Sequence, residues 1–536
     1  MGRGSAARAA GRRTGHGLNE SLRRGRSSGS NPPPAPPGTA PWFETAADLA
    51  ALALVVFYLV TLAQYVAGAR LQTDECFHAT MSGWIATHGT LPRVIPELYS
   101  GFAYFYPPLF HLLGALWIKA FGTDAFRFLN VFVTALLLAW VVLAGRPAGG
   151  RTAVRWAVLL CIANSWLAHH AMRLYVEQLT TLLAVGAVLL ILELRRSPRP
   201  RVVLALGVVA GLAVLAKLSM LLLVALLVSF AGAYALRRER AVARAFAMAG
   251  GIALVTAAPL FLRNALLFGS PIYPALAPDQ NALLYELNRS AFTPHPAAFY
   301  LAAATHAGVA IGLMVLAAFA FAAVRRRFSL EVALLGFCMA LYFAGPLQPL
   351  LDPRHLLPVI AVAAVLSSRI VALELDSRPS IRASISVALL LLAGLSLAPM
   401  TNQRKVLDLP APLVDALEAV RLNVPEGETV LSLWTYDTYY YSHRPATWPI
   451  PWSQKHPPVE MFLTGNCDSV MLALQQHQLR YLLVPRQADA ARFTGVNYPR
   501  AFLLCVGNLV EQQRLEVLWS SPTLGLVKVA QQQGAD

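Results

Sequence analysis

The sequence predicts a polytopic α-helical membrane protein with a small α/β domain at its C-terminal end. Of the 536 residues, 56% are hydrophobic and only 13% are charged, whereas about a quarter of the residues in an ordinary soluble domain are charged. The apolar residues come in runs of about 17 to 25, the length that an α-helix needs to cross a bilayer. From about residue 401 these runs stop and the composition becomes mixed.

The net charge of +16 is distributed as membrane topology predicts. Basic residues lie in the N-terminal tail and in short gaps between apolar runs, which is the positive-inside pattern. They do not cluster among aromatic residues on a soluble domain, so we expect no nucleic-acid partner. Residues 1–41 are rich in Arg and Pro and hold few large apolar residues. We therefore expect a disordered cytoplasmic tail there.

Twelve apolar runs are candidates for membrane spans. If all twelve crossed, the later basic gaps would lie on the side opposite the basic tail, against the charge bias. The run 103–121 is the exception that we assign to the membrane interface, because prolines open it, His111 interrupts it and Lys119 closes it. We expect about eleven spans, at 46–68, 126–145, 153–170, 174–194, 201–216, 218–236, 244–266, 299–323, 330–346, 355–373 and 383–400.

The first run ends in Ala67-Gly68-Ala69, which resembles a signal-peptidase site. It is longer than the apolar segment of about 7 to 15 residues in a signal peptide. We therefore interpret it as an uncleaved first membrane helix.

The composition divides the chain into three parts. A tail (1–41) precedes a membrane domain (42–400), which has a first outer loop (69–125) and a long outer loop (267–298). A third part, 401–536, follows on the outer side. In it, periodicity predicts a small α/β domain, with helices near 411–421 and 468–478 and strands near 429–434, 481–484 and 524–529.

Five cysteines show no CxxC spacing, so the sequence carries no metal-knuckle or thioredoxin-like signal. Only Cys467 and Cys505 are candidates to pair, and only in an oxidising compartment. The aromatic segment 434–441 favours core packing or interface anchoring over sugar stacking.

With eleven spans, polar residues at several helix ends fall on the outer face. Asp74 and Glu75 directly follow the first span, and acids at a membrane surface usually mean chemistry or ion binding. The other members of this set are acidic and basic, as suits an anionic headgroup and a hydroxyl or amine acceptor: Glu177, Lys217, Arg263 and Arg354. The sequence therefore predicts one site at this face.

Short motifs follow one another at a recognisable spacing between about residues 70 and 360. They are Asp74-Glu75 with His78, Tyr106-Pro107-Pro108-Leu109, Arg173-Leu-Tyr-Val-Glu177, Gly211 to Lys217, Pro259 to Asn264 with Phe268 to Pro271, and Asp352 to Pro358. In this order they resemble the GT-C membrane glycosyltransferases, in particular the protein-mannosyltransferase and aminoarabinose-transferase branch with its many bacterial relatives.

The resemblance implies an inverting glycosyltransferase that moves a sugar from a polyprenyl-phosphate donor to a glycan, lipid or protein acceptor. It implies an integral protein of the bacterial plasma membrane, in contact with membrane lipids, with its active site and C-terminal domain outside. Asp74 matches the loop acid that serves as general base or as the carboxylate that orients the acceptor, and Lys217 and Arg354 match positions that contact the donor phosphate. These residue types suit the chemistry, because a carboxylate takes the proton of a hydroxyl nucleophile and cations stabilise a phosphate leaving group.

Further residues are expected in lesser roles. Glu75 is a second catalytic candidate and Arg263 a further donor-phosphate ligand. The candidates for substrate binding are His78, Tyr106, His111, Arg173, Glu177 and His355. Two of these depart from the pattern of the relatives, which often show Asp before a Pro at the position of Glu177 and an aromatic residue at that of His355.

Each main assignment has a structural alternative. Thr73-Asp74 could simply cap the helix that follows. Lys217 could extend its ammonium group to the membrane surface without binding a ligand, and Arg354 could form a plain ion pair with the nearby Asp352. No cofactor is identified with certainty. A divalent metal is left open, because Asp74, Glu75 and His78 are suitable ligands but lie within only five residues.

A transporter is the main alternative function. It would also present acids and bases to one face, but it would carry inverted repeats and charges near the middle of its spans. The sequence shows no internal repeat, and its acids lie at helix ends. A non-catalytic scaffold would explain the architecture but not the set of Asp74, Lys217 and Arg354.

Overall fold

Helices form nearly all of the membrane domain in the computed structural model. The structure describes residues 41–95, 102–236, 239–273, 308–326, 328–343, 353–397, 409–447, 466–486 and 500–530. The expected tail, most of the long outer loop 267–298 and the segment from Trp448 to 465 lie outside the described residues.

Thirteen helices precede the C-terminal domain in the described residues. Their bounds are α1 Pro41–Gly68, α2 Asp74–His88, α3 Leu109–Phe121, α4 Leu129–Ala163, α5 Ser165–Met172, α6 Glu177–Arg196, α7 Pro200–Ala216, α8 Met220–Leu236, α9 Arg240–Phe268, α10 Val309–Arg325, α11 Leu330–Phe343, α12 Leu357–Glu374 and α13 Pro379–Leu397. Short 3-10 turns precede α4 at Asp124–Phe128 and α12 at Pro353–Leu356. A two-residue hairpin, β1 Val94–Ile95 with β2 Phe102–Ala103, lies between α2 and α3.

Six helical segments of the described chain are long and apolar enough to cross a membrane. They lie in α1, α4, α6, α9, α12 and α13. Helices α7, α8 and α10 have 17 residues and α11 has 14, so they reach only about 21 to 26 Å against a hydrocarbon core of about 30 Å. The protein is thus multi-pass, and the count of eleven spans stays a prediction.

Helix α3 has only 13 residues. At about 1.5 Å per residue it is some 20 Å long, too short to cross a bilayer, and this length suits the interfacial position expected for 103–121.

One expected span is divided differently. The helical stretch α4 consists of two helices that meet at a kink at Gly150, where φ is 71° and ψ is 178°, so the expected spans 126–145 and 153–170 lie in separate helices. The helix then ends at Ala163, and Asn164 begins α5 by accepting a hydrogen bond from Leu167 N at 2.8 Å. Asn is a strong N-cap residue, so the expectation of a continuous helix over 153–170 was wrong.

The centre of the membrane domain is α12. Its residues from Leu357 to Ala372 are all buried, and it packs against α4, α6, α10 and α11. Helices α1, α9 and α13 instead expose apolar side chains such as Leu52, Val255 and Leu395, as suits surfaces that face lipid tails.

A buried ion cluster joins three helices at the end that the charge pattern places in the cytoplasm. The Arg155 guanidinium donates to Glu44 at 2.7 Å and to Asp48 at 2.8 Å, and its side chain is 1% exposed. It also donates to Ser386 at 3.1 Å. Helices α1, α4 and α13 are therefore fixed to one another.

The described part of the C-terminal domain contains a mixed five-stranded sheet. Its strands are β3 Val430–Ser432, β4 Ala446–Thr447, β5 Tyr481–Pro485, β6 Leu515–Ser520 and β7 Leu524–Val529, in the order β4-β3-β5-β7-β6. Strands β4, β3 and β5 are parallel and β5, β7 and β6 are antiparallel. The helices are α14 Ala411–Asn423, α15 Thr435–Ser442, α16 Cys467–Gln476 and α17 Arg500–Glu511.

The two expected helices and three expected strands of this domain are present, whereas β4, β6, α15 and α17 were not expected. Helix α15 covers the aromatic segment, in which Trp434 is 3% exposed and belongs to the core. Cys467 and Cys505 contact each other between α16 and α17 as free thiols.

The first outer loop and the C-terminal domain share one apolar core. Phe77 and Met81 of α2 and Tyr104 of the loop belong to the same buried cluster as Val430 and Leu431 of β3. Helix α15 packs directly on α2. The C-terminal domain thus lies against the segment that carries Asp74.

Candidate active site

Asp74 is the first residue of α2. The N-cap is Thr73, and the Thr73 side chain makes no capping hydrogen bond. The Asp74 carboxylate instead accepts a hydrogen bond from Arg354 at 2.9 Å, and its side chain is 39% exposed. Asp74 is therefore directed toward a cation rather than toward the backbone of its own helix.

Arg354 and Lys217 bind the same buried carboxylate. Lys217 Nζ donates to Glu177 Oε1 at 2.6 Å, and Arg354 Nε lies 3.6 Å from that oxygen. The Glu177 side chain is 4% exposed, whereas those of Lys217 and Arg354 are 21% and 28% exposed. Two acids and two bases thus form one cluster, with the cations reaching its surface.

The cluster forms where four ends of chain segments meet. Asp74 and Glu177 begin α2 and α6, Lys217 follows the last residue of α7, and Arg354 lies in the turn before α12. Acids are favoured in the first turn of a helix, because the unpaired backbone N–H groups there carry partial positive charge. The local sequence therefore suits each carboxylate to its position.

Two aromatic groups border the cluster. Lys217 Nζ donates to His355 Nδ1 at 2.9 Å. The Tyr175 ring lies near two guanidinium groups, with Cζ of Arg173 at 5.5 Å and Cζ of Arg354 at 5.7 Å from its centroid. Such cation–π contacts orient guanidinium groups over the ring face.

Glu75 points into a second, buried ion pair. Its carboxylate accepts hydrogen bonds from Arg173 at 2.8 Å, from Leu174 N at 2.8 Å and from Gln72 N at 3.1 Å. Burial raises the pKa of Glu75, and the Arg173 guanidinium acts in the opposite direction. These contacts favour a role for Glu75 and Arg173 in joining the first outer loop to the loop before α6.

His78 and His111 form a hydrogen-bonded chain with Tyr104. His78 Nδ1 lies 2.8 Å from His111 Nε2, and His111 Nδ1 lies 2.7 Å from the Tyr104 hydroxyl. Burial lowers the pKa of His78 to about 4 and that of His111 well below its usual value. Both rings are therefore neutral at physiological pH. His78 interacts electrostatically with Asp74 and Glu177. The hydrogen-bonded chain of His78, His111 and Tyr104 therefore begins beside the ion cluster and leads into the first outer loop.

Arg263 and Tyr106 lie beside this chain. Arg263 donates to the Tyr104 carbonyl, and its Cζ lies 5.1 Å from the Tyr104 ring centroid. Arg263 also donates to the Pro92 carbonyl at 3.5 Å and to Asn264 at 3.4 Å, so its hydrogen bonds hold the first outer loop. Tyr106 is half-buried, with its ring centroid 4.8 Å from that of Phe77.

The described residues contain no group of three or more His, Cys, Asp and Glu side chains that fits a metal ion. Glu75, one of the three candidate ligands, is directed toward Arg173. The question of a divalent metal therefore stays open, and we derive no step through one.

Several residues of the site were not expected from the sequence. Tyr175 lies in the motif from Arg173 to Glu177, but it carries no charge that would mark it as a site residue. His170 is the last residue of the preceding apolar run and interacts electrostatically with Glu177. Asn130 donates to the carbonyls of Arg173 and Tyr175 at 2.6 and 2.7 Å and so fixes the loop before α6. Asp437 binds the loop before Asp74 from the C-terminal domain. No local pattern marks these residues, because their partners are distant in sequence.

No family model and no curated protein matches this sequence. Several solved structures do match this chain. The chain is similar to ArnT from Cupriavidus metallidurans in the apo state, with a TM-score of 0.51 and 14% identity over 90% of this chain and 98% of ArnT. ArnT bound to undecaprenyl phosphate gives a TM-score of 0.46 and 13% identity, over 89% and 97% of the two chains.

A second solved structure is the arabinofuranosyltransferase AftD from Mycobacteria. The TM-score is 0.50 and the identity 15%, over 91% of this chain and 41% of AftD. The chain therefore spans less than half of AftD but nearly all of ArnT. It has the fold of the GT-C membrane glycosyltransferases, as the sequence predicts.

Proposed function

We propose that this protein is an integral-membrane glycosyltransferase. It transfers a hexosyl or pentosyl group from a polyprenyl-phosphate donor to a glycan, lipid or protein acceptor, with inversion, on the outer face of the plasma membrane. The observation that carries the proposal is the cluster of Asp74, Glu177, Lys217 and Arg354, in which contacts of 2.6 to 3.6 Å join two partly exposed cations to two acids. The fold shared with GT-C enzymes supports the same class.

The general base is Asp74. An acceptor hydroxyl attacks the anomeric carbon from the face opposite the phosphate, and its proton passes to the Asp74 carboxylate. A new bond forms between the acceptor oxygen and the anomeric carbon while the bond from that carbon to the phosphate oxygen breaks. The phosphate leaves with the bonding electrons and needs no proton, because it is already a stable anion.

Lys217 and Arg354 stabilise the charge that develops on this phosphate. Both guanidinium and ammonium groups bind phosphate well, and Arg does so with two parallel donors. Their side chains are 21% and 28% exposed, so they are accessible to a headgroup from the membrane surface. Glu177 holds the two cations together and keeps them oriented.

Arg354 connects the two halves of the reaction. Its guanidinium, which would bind the donor phosphate, also pairs with Asp74 at 2.9 Å and so occupies the carboxylate that acts as base. A bound phosphate competes for the same guanidinium and frees Asp74 to accept a proton. Binding of the donor thereby activates the base.

The remaining expected residues take supporting roles in this proposal. His78, His111 and His355 orient polar groups at the cluster, Tyr106 provides an aromatic surface, and Arg263 holds Tyr104. The eleven spans, the outer orientation of the site and the bacterial plasma membrane remain part of the proposal.

The decisive experiment compares the wild type with Asp74→Asn in membranes supplied with radiolabelled polyprenyl-phosphate sugars. Undecaprenyl phosphate, the lipid bound in one of the ArnT structures, is the carrier to begin with. The amide keeps the shape of the side chain but cannot accept the proton, so we expect sugar transfer to slow by about a hundredfold.

Asp124→Asn is the matched control, because Asp124 is an exposed acid of the same outer loop. It should transfer sugar at the wild-type rate.

A parallel reaction with EDTA tests for a divalent metal. Equal rates for wild type and Asp74→Asn would refute the assignment of the base. Failure of the wild type to consume any donor, together with uptake of a labelled anion into vesicles, would support the transporter instead.

A further inference from the structure

The loop before Asp74 is held by a carboxylate from the C-terminal domain. Asp437 lies in α15, 364 residues further along the chain, and its Oδ1 accepts the Thr73 N–H at 2.8 Å. The same oxygen lies 3.6 Å from Cys76 Sγ, which donates to it. One atom of a distant domain thus contacts the residue before Asp74 and the residue two positions after it.

We propose that Asp437 is a positioning residue that sets the place of Asp74 at the start of α2. This inference rests on the proposed function, because it assigns to the C-terminal domain a part in the transfer reaction.

The backbone before Asp74 needs such support. The first N–H groups of a helix have no partner within the helix and are usually bound by an N-cap side chain. Thr73 does not supply this bond, and its backbone has a φ of 50° and a ψ of −122°. A non-glycine residue in such a conformation is strained, and surrounding contacts must hold it there. Asp437 accepts the N–H of Thr73 itself. In a capping box the side chain of the third helical residue accepts this N–H, but that residue is Cys76, so the acceptor here comes from α15.

Further contacts between α15 and this segment act in the same direction. The Tyr441 hydroxyl donates to the Leu71 carbonyl at 2.7 Å. The ring centroids of Phe77 and Tyr436 lie 5.0 Å apart. On the other side, the Glu75 carboxylate accepts from Gln72 N and from Arg173. The segment from Leu71 to Phe77 is therefore clamped between α15 and the loop before α6.

Asp437 acts through its oxygen atom rather than its charge. It is 1% exposed, and among the described residues no Lys, Arg or His lies within ion-pair distance of it. Burial raises the pKa of Asp437 to about 7, and the groups that face it are the carboxylate of Glu75, the thiol of Cys76 and the hydroxyl of Tyr441. An amide, which offers the same oxygen without charge, should therefore replace it.

Three variants of Asp437 test the proposal. Asp437→Asn keeps the acceptor oxygen, Asp437→Leu removes it at similar volume, and Asp437→Glu moves the oxygens by one methylene group. We expect kcat for transfer to fall about tenfold to a hundredfold in Asp437→Leu, since small misplacement of a catalytic group has effects of this size. The donor KM should change less than threefold, because Lys217 and Arg354 remain in place. Asp437→Asn should stay within threefold of the wild type in both constants.

A second measurement does not depend on activity. Hydrogen–deuterium exchange in overlapping peptides that cover 69–78 includes the Thr73 N–H. Exchange there should accelerate in Asp437→Leu and stay unchanged in Asp437→Asn. The matched control is Asp468→Leu, because Asp468 is an acid of the same domain whose side chain is 84% exposed and pairs with Arg514. It should leave both kcat and the 69–78 peptides unchanged.

Unchanged kcat and unchanged exchange in Asp437→Leu would overturn the proposal. If this variant also loses exchange protection in β5, the domain itself is damaged, and Asp437→Glu then decides by the same two measurements. A wild type that transfers no sugar would contradict the proposed function. The exchange data would still show separately whether Asp437 holds the segment before Asp74.

Discussion

Lys217 and Glu177 illustrate how a single pair serves both stability and chemistry. Glu177 is almost fully buried and carries its charge among apolar helices, so it depends on the ammonium 2.6 Å away. Removal of one partner of a buried ion pair typically costs about 3 to 5 kcal/mol, because the other charge is left uncompensated. The same ammonium is partly exposed, which makes it available to a phosphate.

We predict that these two roles separate in a double-mutant comparison. Lys217→Met should lower the melting temperature and raise the donor KM at least tenfold. Adding Glu177→Gln removes the buried charge that Arg354 alone, 3.6 Å away, is left to compensate, so the double variant should recover much of the melting temperature but not the affinity for donor. Thermal unfolding in detergent and initial rates against donor concentration measure the two effects. Lys217→Arg serves as the control that keeps the charge.

Recovery of donor affinity together with stability would show that Lys217 acts only as the partner of Glu177. The snorkelling alternative would then be preferred, and the donor phosphate would have to be assigned to Arg354 and other groups.

At the scale of elements, the position of Lys217 depends on how closely α7 approaches α9. Gly207 and Gly211 of α7 face that helix. A Cβ atom on Gly207 would lie 2.8 Å from the Ala249 carbonyl oxygen, and one on Gly211 would lie 2.8 Å from that of Ala253. Small residues four apart allow helix backbones to meet in a membrane. Since α7 ends one residue before Lys217, the contact between α7 and α9 also fixes the position of the Lys217 ammonium group relative to the ion cluster.

We therefore expect Gly211→Val to destabilise the protein and to slow sugar transfer. The added methyl groups meet backbone, which cannot give way, and overpacking of this kind costs about 1 to 3 kcal/mol. Gly250→Val is the matched control, since Gly250 lies within α9 and a Cβ there meets open space. Thermal unfolding and transfer rates of both variants check the prediction. Equal behaviour of the two would mean that α7 and α9 can separate without consequence.

On the scale of the whole molecule, two polar clusters hold the helices of the membrane domain together. A buried cluster around Arg155 joins α1, α4 and α13 at one end, and the cluster around Glu177 joins α2, α6, α7 and α12 at the other. The C-terminal domain packs against the second end, through α2 and the first outer loop. An odd number of spans would place this domain and the N-terminal tail on opposite sides.

This arrangement predicts the outcome of cysteine labelling in intact cells. In a Cys467→Ser background, Glu418→Cys in the exposed face of α14 should react with a membrane-impermeant maleimide. Ser27→Cys in the tail should react only after the membrane is permeabilised. The native cysteines other than Cys467 are buried and should give low background. Labelling of both positions in intact cells, or of neither, would be incompatible with eleven spans and would require a new assignment of the short helices.

The sequence by itself determined the membrane class, most helix bounds and the acids and bases at the helix ends. These features are local, because hydropathy, capping residues and charge bias act within about twenty residues. Helix α15 was not predicted from the sequence, since its aromatic residues lack a helical periodicity.

Only the tertiary structure decided which charges meet. Nothing near Glu75 marks it as the partner of Arg173 rather than a second catalytic acid, and nothing near Asp74 indicates its bond to Arg354. The support from Asp437 lies 364 residues away. Contacts of this kind depend on which helix ends the packing brings together, and that packing is the sum of many weak contacts spread over the whole chain.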